Sequence, residues 1–146
     1  MKKTLICLGF CFVWQVYASQ PLVSVEEMNT SNSAGPPFMP KAAPVKDAPL
    51  IELSAPKLNE PIASPTVIDL KFQTIAPGII KPETFKVLYG SFEIDITKRL
   101  LNVAKITESG VLVQEAPLPK GKHKLLVVIE DNLGRRGNKG IDFEVK

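Results

Sequence analysis

Histidine occurs once in the 146 residues, at His123, tryptophan once, at Trp14, and cysteine only at Cys7 and Cys11. A serine or cysteine nucleophile needs an activating base within hydrogen-bond reach, and a His-based zinc centre needs several nitrogen or sulfur ligands. One histidine, with both thiols inside the first eleven residues and no Gly-x-Ser-x-Gly motif, supplies neither. Charge of one sign is also scarce. Eighteen basic residues stand against fifteen acidic ones, a balance that calls for no polyanionic partner such as nucleic acid. The sequence therefore predicts no catalytic residue, no cofactor and no metal ligand.

Long apolar runs are missing too, apart from one that extends from Leu5 to Val16. A spanning helix needs about 20 apolar residues, and this run stops short, at Gln20 and Pro21. With Lys2 and Lys3 before it and Val16-Tyr17-Ala18 after it, it is expected to be a signal peptide, residues 1–18, cleaved after Ala18. Cleavage would remove both cysteines, so the core alone would hold the domain. It would leave sixteen basic residues against fifteen acidic ones and no transmembrane segment. The chain is expected to be exported, to the periplasm, the extracellular space or the cell surface.

Residues 19–48 are rich in Pro, Ser, Asn and Ala and show no sustained apolar period. That composition predicts a flexible, disordered, partly polyproline tether. Within it, "PLVSVEEM" carries Leu22, Val23 and Val25, an apolar group that could add a strand to a partner's sheet edge.

Residues 49–146 alternate apolar and polar side chains, with turn residues about every ten positions, the pattern of an all-β sandwich or barrel. "TVIDLKFQT" puts Ile68, Leu70 and Phe72 on one face against Asp69, Lys71 and Gln73. "TFKVLYG" does the same with Phe85, Val87 and Tyr89, and "FEIDI" with Phe92, Ile94 and Ile96. "LIELS", "GVLVQEA", "KHKLLVVIED" and "GIDFEVK" complete about seven strands. "DITKRLL" is expected to make one helical turn capped by Thr97.

The segment "GVLVQEAPLPKGKHKLLVVIEDNLGRRGNKGIDFEV" resembles the closing half of a bacterial Ig-like domain: a strand, a corner, a long alternating strand, an Asp-x-x-Gly turn and a last strand. "PLIELSAPKLNEPIASP" and "DITKRL" resemble its entry strand and its crossover. The resemblance covers residues 49–146 and implies an antiparallel Ig-like β-sandwich. In such folds an aromatic near the start of the long strand, two residues before a core position, bonds the backbone upstream. The resemblance gives that structural-corner role to His123, two before Leu125, with Asp131 and Gly134 forming the turn beyond. Leu125 and Leu70 stand where antibody domains carry their cysteine pair, and Val87 where they carry tryptophan. Arg135 departs from the asparagine that often follows the turn glycine.

The basic groups Lys120/Lys122/Lys124 and Arg135/Arg136/Lys139 flank a strand of about ten residues, which at roughly 3.3 Å each sets them about 30 Å apart. They read as solvated loops. Of the carboxylate pairs, Glu93/Asp95 lies on one solvent face of a strand and Glu130/Asp131 points to opposite faces, so neither reads as a glycosidase dyad or calcium site, and exposed strand charges that discourage edge pairing are routine. Leu112, Leu126 and Val128 fall on faces turned away from the assigned core and are the candidate interaction surface. The function expected is that of an exported, non-catalytic Ig-like module binding a protein or envelope polymer. The alternative is a carbohydrate- or peptidoglycan-binding accessory domain beside a separate enzyme.

Overall fold

Burial follows the sequence alternation, and that alternation builds two sheets. The structure is a computed structural model that describes residues 21–35 and 45–146. Along it lie α1 (Val25–Ser33), β1 (Leu50–Ala55), β2 (Thr66–Gln73), β3 (Ile80–Tyr89), β4 (Ile94–Asp95), α2 (Thr97–Leu101), β5 (Ala104–Thr107), β6 (Gly110–Ala116), β7 (Gly121–Asp131) and β8 (Arg136–Val145). On β7, His123, Leu125, Val127, Ile129 and Asp131 are buried, while Lys122, Lys124, Leu126, Val128 and Glu130 between them are not. Ile68, Leu70 and Phe72 of β2 and Phe85, Val87 and Tyr89 of β3 are buried in the same rhythm, because successive side chains of a strand point to opposite faces.

One four-stranded sheet has the order β1-β2-β6-β5 and the other β4-β3-β7-β8, with antiparallel pairing throughout both. Leu70 and Val113 from the first sheet and Val87, Leu125 and Ile141 from the second belong to one apolar cluster. The chain is thus an all-β, two-sheet antiparallel fold compatible with a β-sandwich. No helix among the described residues is long and apolar enough to cross a membrane.

Four local expectations are corrected. Phe92 is not inward: the chain turns after Tyr89, with Gly90 and Glu93 both at positive φ (69° and 53°) and Glu93 N–H donating to the Gly90 carbonyl. The strand resumes only at Ile94, which leaves Phe92 in the turn, 59% exposed. An eighth strand, β5, forms a hairpin with β6; at four residues it is too short for alternation to reveal. Thr97 does not cap α2, whose N-cap is Ile96. Its hydroxyl instead accepts from Val87 N–H at 2.9 Å, and its own N–H donates to Asp95 Oδ1 at 2.9 Å.

The fourth correction concerns the tether. Ser24 and Glu27 form a reciprocal capping box that starts α1, which satisfies two amides otherwise left open at a helix N-terminus. Leu22, Val23 and Met28 are buried against the sheets, Val23 completely, and Leu22 N–H donates to the Pro117 carbonyl. "PLVSVEEM" therefore supplies a buried plug and a helix to its own domain and not a strand to a partner. The signal-peptide reading of residues 1–18, and the tether reading of residues 19–20 and 36–44, lie outside the described residues.

Candidate interaction face and the buried histidine

The strand register decides which candidate residues meet. Leu126 pairs with Leu88 on one side and Gly140 on the other, and Val128 with Lys86 and Asn138. All lie on the second sheet, and Leu88, Leu126 and Val128 turn to its outer face, each half-buried by its neighbours. A shallow depression of about 360 Å³ is lined by Leu88 and Val128 with Thr84, Lys86, Asp95, Glu130 and Arg136 around them. The result is an apolar stripe with a charged rim.

Leu112 does not join it. It sits on β6, opposite Asp69 and Lys105, and is 45% exposed on the outer face of the first sheet. Stacked sheets lie about 10 Å apart and their outer faces point in opposite directions. The chain passes from one sheet to the other between β6 and β7, so outward residues on these consecutive strands cannot share a patch.

The two arginines of the basic groups are paired with carboxylates. Arg135 Nε donates to Asp131 Oδ2 at 2.6 Å and Arg136 Nε to Glu130 Oε1 at 2.8 Å. Lys122 and Lys124 stand across the ladder from Glu144 and Asp142. Asp131 is 1% exposed and accepts from the N–H groups of Leu133 and Arg135 through Oδ1. Burial alone would raise its pKa, but the Arg135 amide and guanidinium and the Leu133 amide outweigh it and hold the carboxyl below the usual range. Gly134, at φ 74°, closes this turn with its N–H on the Asp131 carbonyl. The turn also grips the β2–β3 connection: Asn132 exchanges two hydrogen bonds with Ile79, and Arg135 Nη2 donates to the Ile75 carbonyl.

His123 is 1% exposed, with its ring stacked on Phe143 at 5.3 Å. Nε2 lies 2.7 Å from the Pro119 carbonyl and Nδ1 3.0 Å from the Tyr89 hydroxyl. A carbonyl oxygen can only accept, so Nε2 carries the proton and neutral Nδ1 accepts from Tyr89. Burial pushes the imidazole pKa below its ordinary 6.5, only partly opposed by the Pro119 bond. Tyr89, also buried, is pushed up to about 12, by desolvation first and then by the Glu27 charge. Both ring nitrogens are occupied, Nε2 by the Pro119 carbonyl and Nδ1 by the Tyr89 hydroxyl. The ring ties strands together.

Alternation alone missed a second polar cluster, at the end of the sandwich. Arg99 of α2 donates through both terminal nitrogens to the Glu27 carboxylate, at 2.8 and 2.9 Å, and also to the Leu22 carbonyl. Arg99 holds the Glu27 carboxyl at about 2, well below the ordinary carboxylate range. Pro21, Leu22, Glu27, Ile94, Arg99 and Val103 are among the residues around an open hollow of about 820 Å³ beside this pair. The readable signal for it was Ser24-x-x-Glu27, the capping-box spacing. Comparison with protein-family models, with curated proteins and with solved structures finds no match to this chain.

Proposed function

We propose that the chain is an exported, non-catalytic Ig-like module that binds a protein or polymer at the bacterial envelope or outside the cell, using the outer face of β4-β3-β7-β8. The Ig-like part of this reading is supported by strand order. A β1-β2-β6-β5 sheet facing β4-β3-β7-β8 corresponds to the ABED and CFG sheets of Ig domains with one strand added beside C. Support also comes from His123, which stands two residues before Leu125 and bonds a carbonyl four residues upstream, the position and role of the tyrosine corner. The step from such a fold to a binding role is analogy.

The observation that carries the binding site is the apolar group of Leu88, Leu126 and Val128 on this face, with Lys86, Asp95, Glu130 and Arg136 around the depression that Leu88 and Val128 line. An apolar centre with a polar rim is the usual anatomy of a contact surface. The paired states of Arg135 and Arg136 speak against a phosphate-binding role. A photo-crosslinking residue placed at Leu126 is expected to give adducts in intact cells that the same residue at Leu112 does not. Equal labelling at both positions, or none at either, would remove this face from consideration.

The runner-up, a carbohydrate- or peptidoglycan-binding accessory domain, draws on a different observation. Phe92 is exposed at the tip of the β3–β4 turn, where a ring could stack on a sugar. Sedimentation with purified cell-wall polymer that Phe92→Ala abolishes would favour it.

A further inference from the structure

Two strand ends at one end of the second sheet are held twice, once from outside and once from beneath. Outside is the C-terminal half of α1. Ser31 Oγ accepts from Ser91 N–H at 3.1 Å, Ser91 Oγ donates to the Ser31 carbonyl, and Asn32 Nδ2 donates to the Lys122 carbonyl at 3.1 Å. The thioether of Met28 lies so close over Gly121 that a Cβ there would stand 2.6 Å from its sulfur. Gly90 is equally open, with the Ser31 side chain in the space a Cβ would take. The helix thus clasps residues 90–91 at the end of β3 and 121–122 at the start of β7. Beneath, the Tyr89–His123 hydrogen bond joins the residues next to those same two points.

We propose that α1 is an acid-released strap: protonation of His123 reverses the buried bond between β3 and β7 and puts a charge beneath the helix, the two strand ends shift, and the C-terminal half of the helix lifts away while the sheets stay paired. A proton added to Nδ1 would aim an N–H at a hydroxyl that now donates to it, so Tyr89 must turn its own hydrogen to another acceptor. Shifted strand ends would let water reach the imidazole, which then titrates near 6.5, whereas the buried ring resists the proton. As pH falls below 6.5 the undocked state therefore gains on the docked one, by up to tenfold per pH unit for one linked proton. Once undocked, a nine-residue helix is too short to stay formed in water, so release exposes its amides.

The other charges around the site do not share this window. Tyr89 on β3 ionises only at about 12. Glu27 on α1 is held at about 2 by Arg99 of α2, so this clasp persists and the first turn stays docked while the residues after it unwind. Lys122 and Lys124 on β7 alternate away from His123, opposite Glu144 and Asp142 of β8. From β8 uncharged Phe143 stacks on the ring, and Lys120 lies in the loop beside the Pro119 carbonyl.

The test is amide hydrogen exchange on the purified chain from pH 7.5 to 5, expressed as protection relative to the intrinsic rate at each pH, with the His123 ring titration followed by NMR. The expected result is that protection of the amides of residues 29–34 falls several-fold, while that of Val111 and Val113 on β6 holds. The side-chain amide of Asn32 is expected to shift at the same midpoint as the ring. His123→Gln, which cannot titrate, is expected to flatten the pH dependence of residues 29–34. Where that variant does not fold, the wild-type ring titration decides. Strap protection that does not change, that falls together with β6, or that keeps its pH dependence in His123→Gln overturns the proposal, as does a ring that titrates without any response from Asn32.

Discussion

The Tyr89 hydroxyl donates to His123 Nδ1 at 3.0 Å, joining β3 to β7 through two side chains that are each 1% exposed. Removing the hydroxyl leaves a buried acceptor without a partner, and the desolvation of such a group costs about 1 to 3 kcal/mol. Tyr89→Phe is expected to lower stability by that amount with little change in packing, because the ring is kept. Urea unfolding monitored by circular dichroism measures it. A midpoint equal to wild type would mean that the pair contributes nothing to the fold.

The same tyrosine gives an alkaline limit. Its pKa is raised to about 12 in the folded chain from an ordinary 10, so the folded state holds a proton that the unfolded state releases first. The stabilisation is complete below pH 10 and fades as pH rises towards 12, by at most about 3 kcal/mol. Tyrosinate absorbance for Tyr89 and loss of the β-sheet signal are expected to move together in that window. An absorbance midpoint near 10 in a still-folded chain would show that the hydroxyl reaches water.

Val23 is fully buried although it lies in a stretch whose composition is that of a linker. Val23→Ala removes two methyl groups' worth of buried surface and leaves a small void, a loss of about 2 kcal/mol. Val25, 57% exposed two residues later, is the control, and Val25→Ala is expected to stay within about 0.5 kcal/mol of wild type. Thermal melts of the pair decide whether residues 21–35 belong to the domain. Two identical melts would return the segment to a tether.

These residues show where a sequence pattern reaches and where it stops. Strands β2 and β7, and the later halves of β3 and β8, were legible because apolar side chains turn inward there at alternate positions, a signal that survives local exceptions. Two-residue β4 and four-residue β5 offer too few repeats to separate a strand from a turn. The docked N-terminal segment was hidden for another reason. α1 buries only Met28 and Ser31, so it has almost no apolar stripe, and its attachment rests on polar bonds to residues 60 to 90 positions away. The candidate face was half legible: alternation told which residues of β6 and β7 turn outward, but only the sheet assignment told that Leu112 faces the opposite way from Leu126 and Val128.

Acid should loosen the clasp between α1 and α2 at a lower pH than it affects the histidine. Glu27 falls from an ordinary 4.5 to about 2 beside Arg99, so its contribution is complete above 4.5 and is lost as pH falls towards 2. Arg99 is 46% exposed, and pairs so open to solvent are worth about 0.5 kcal/mol. A double-mutant cycle with Glu27→Gln and Arg99→Gln at pH 7 is expected to give a coupling of that size, weaker in high salt. A coupling that is zero at low salt would mean that the two fork bonds only accompany the docking and do not support it.

Asp131 and Glu130 are neighbours on β7, and each pairs with an arginine across the turn, yet they should respond very differently to removal. Glu130 lies on the outer face, where water can replace its partner. Asp131 is buried and holds three donors at once: the amides of Leu133 and Arg135 and the Arg135 side chain. Its loss strands all three and loosens the turn's hold on the β2–β3 connection, because Arg135 also reaches the Ile75 carbonyl. Asp131→Ala is therefore expected to destabilise the chain far more than Glu130→Ala, with Asp131→Asn between them because it keeps an acceptor but no charge. The contribution of Asp131 is present above its ordinary 3.8 and is lost as pH falls through its lower folded value. The gap between the two alanine variants should accordingly be wide at pH 7 and close in strong acid. Equal urea midpoints for the two variants at pH 7 would show that this turn is held by its backbone alone.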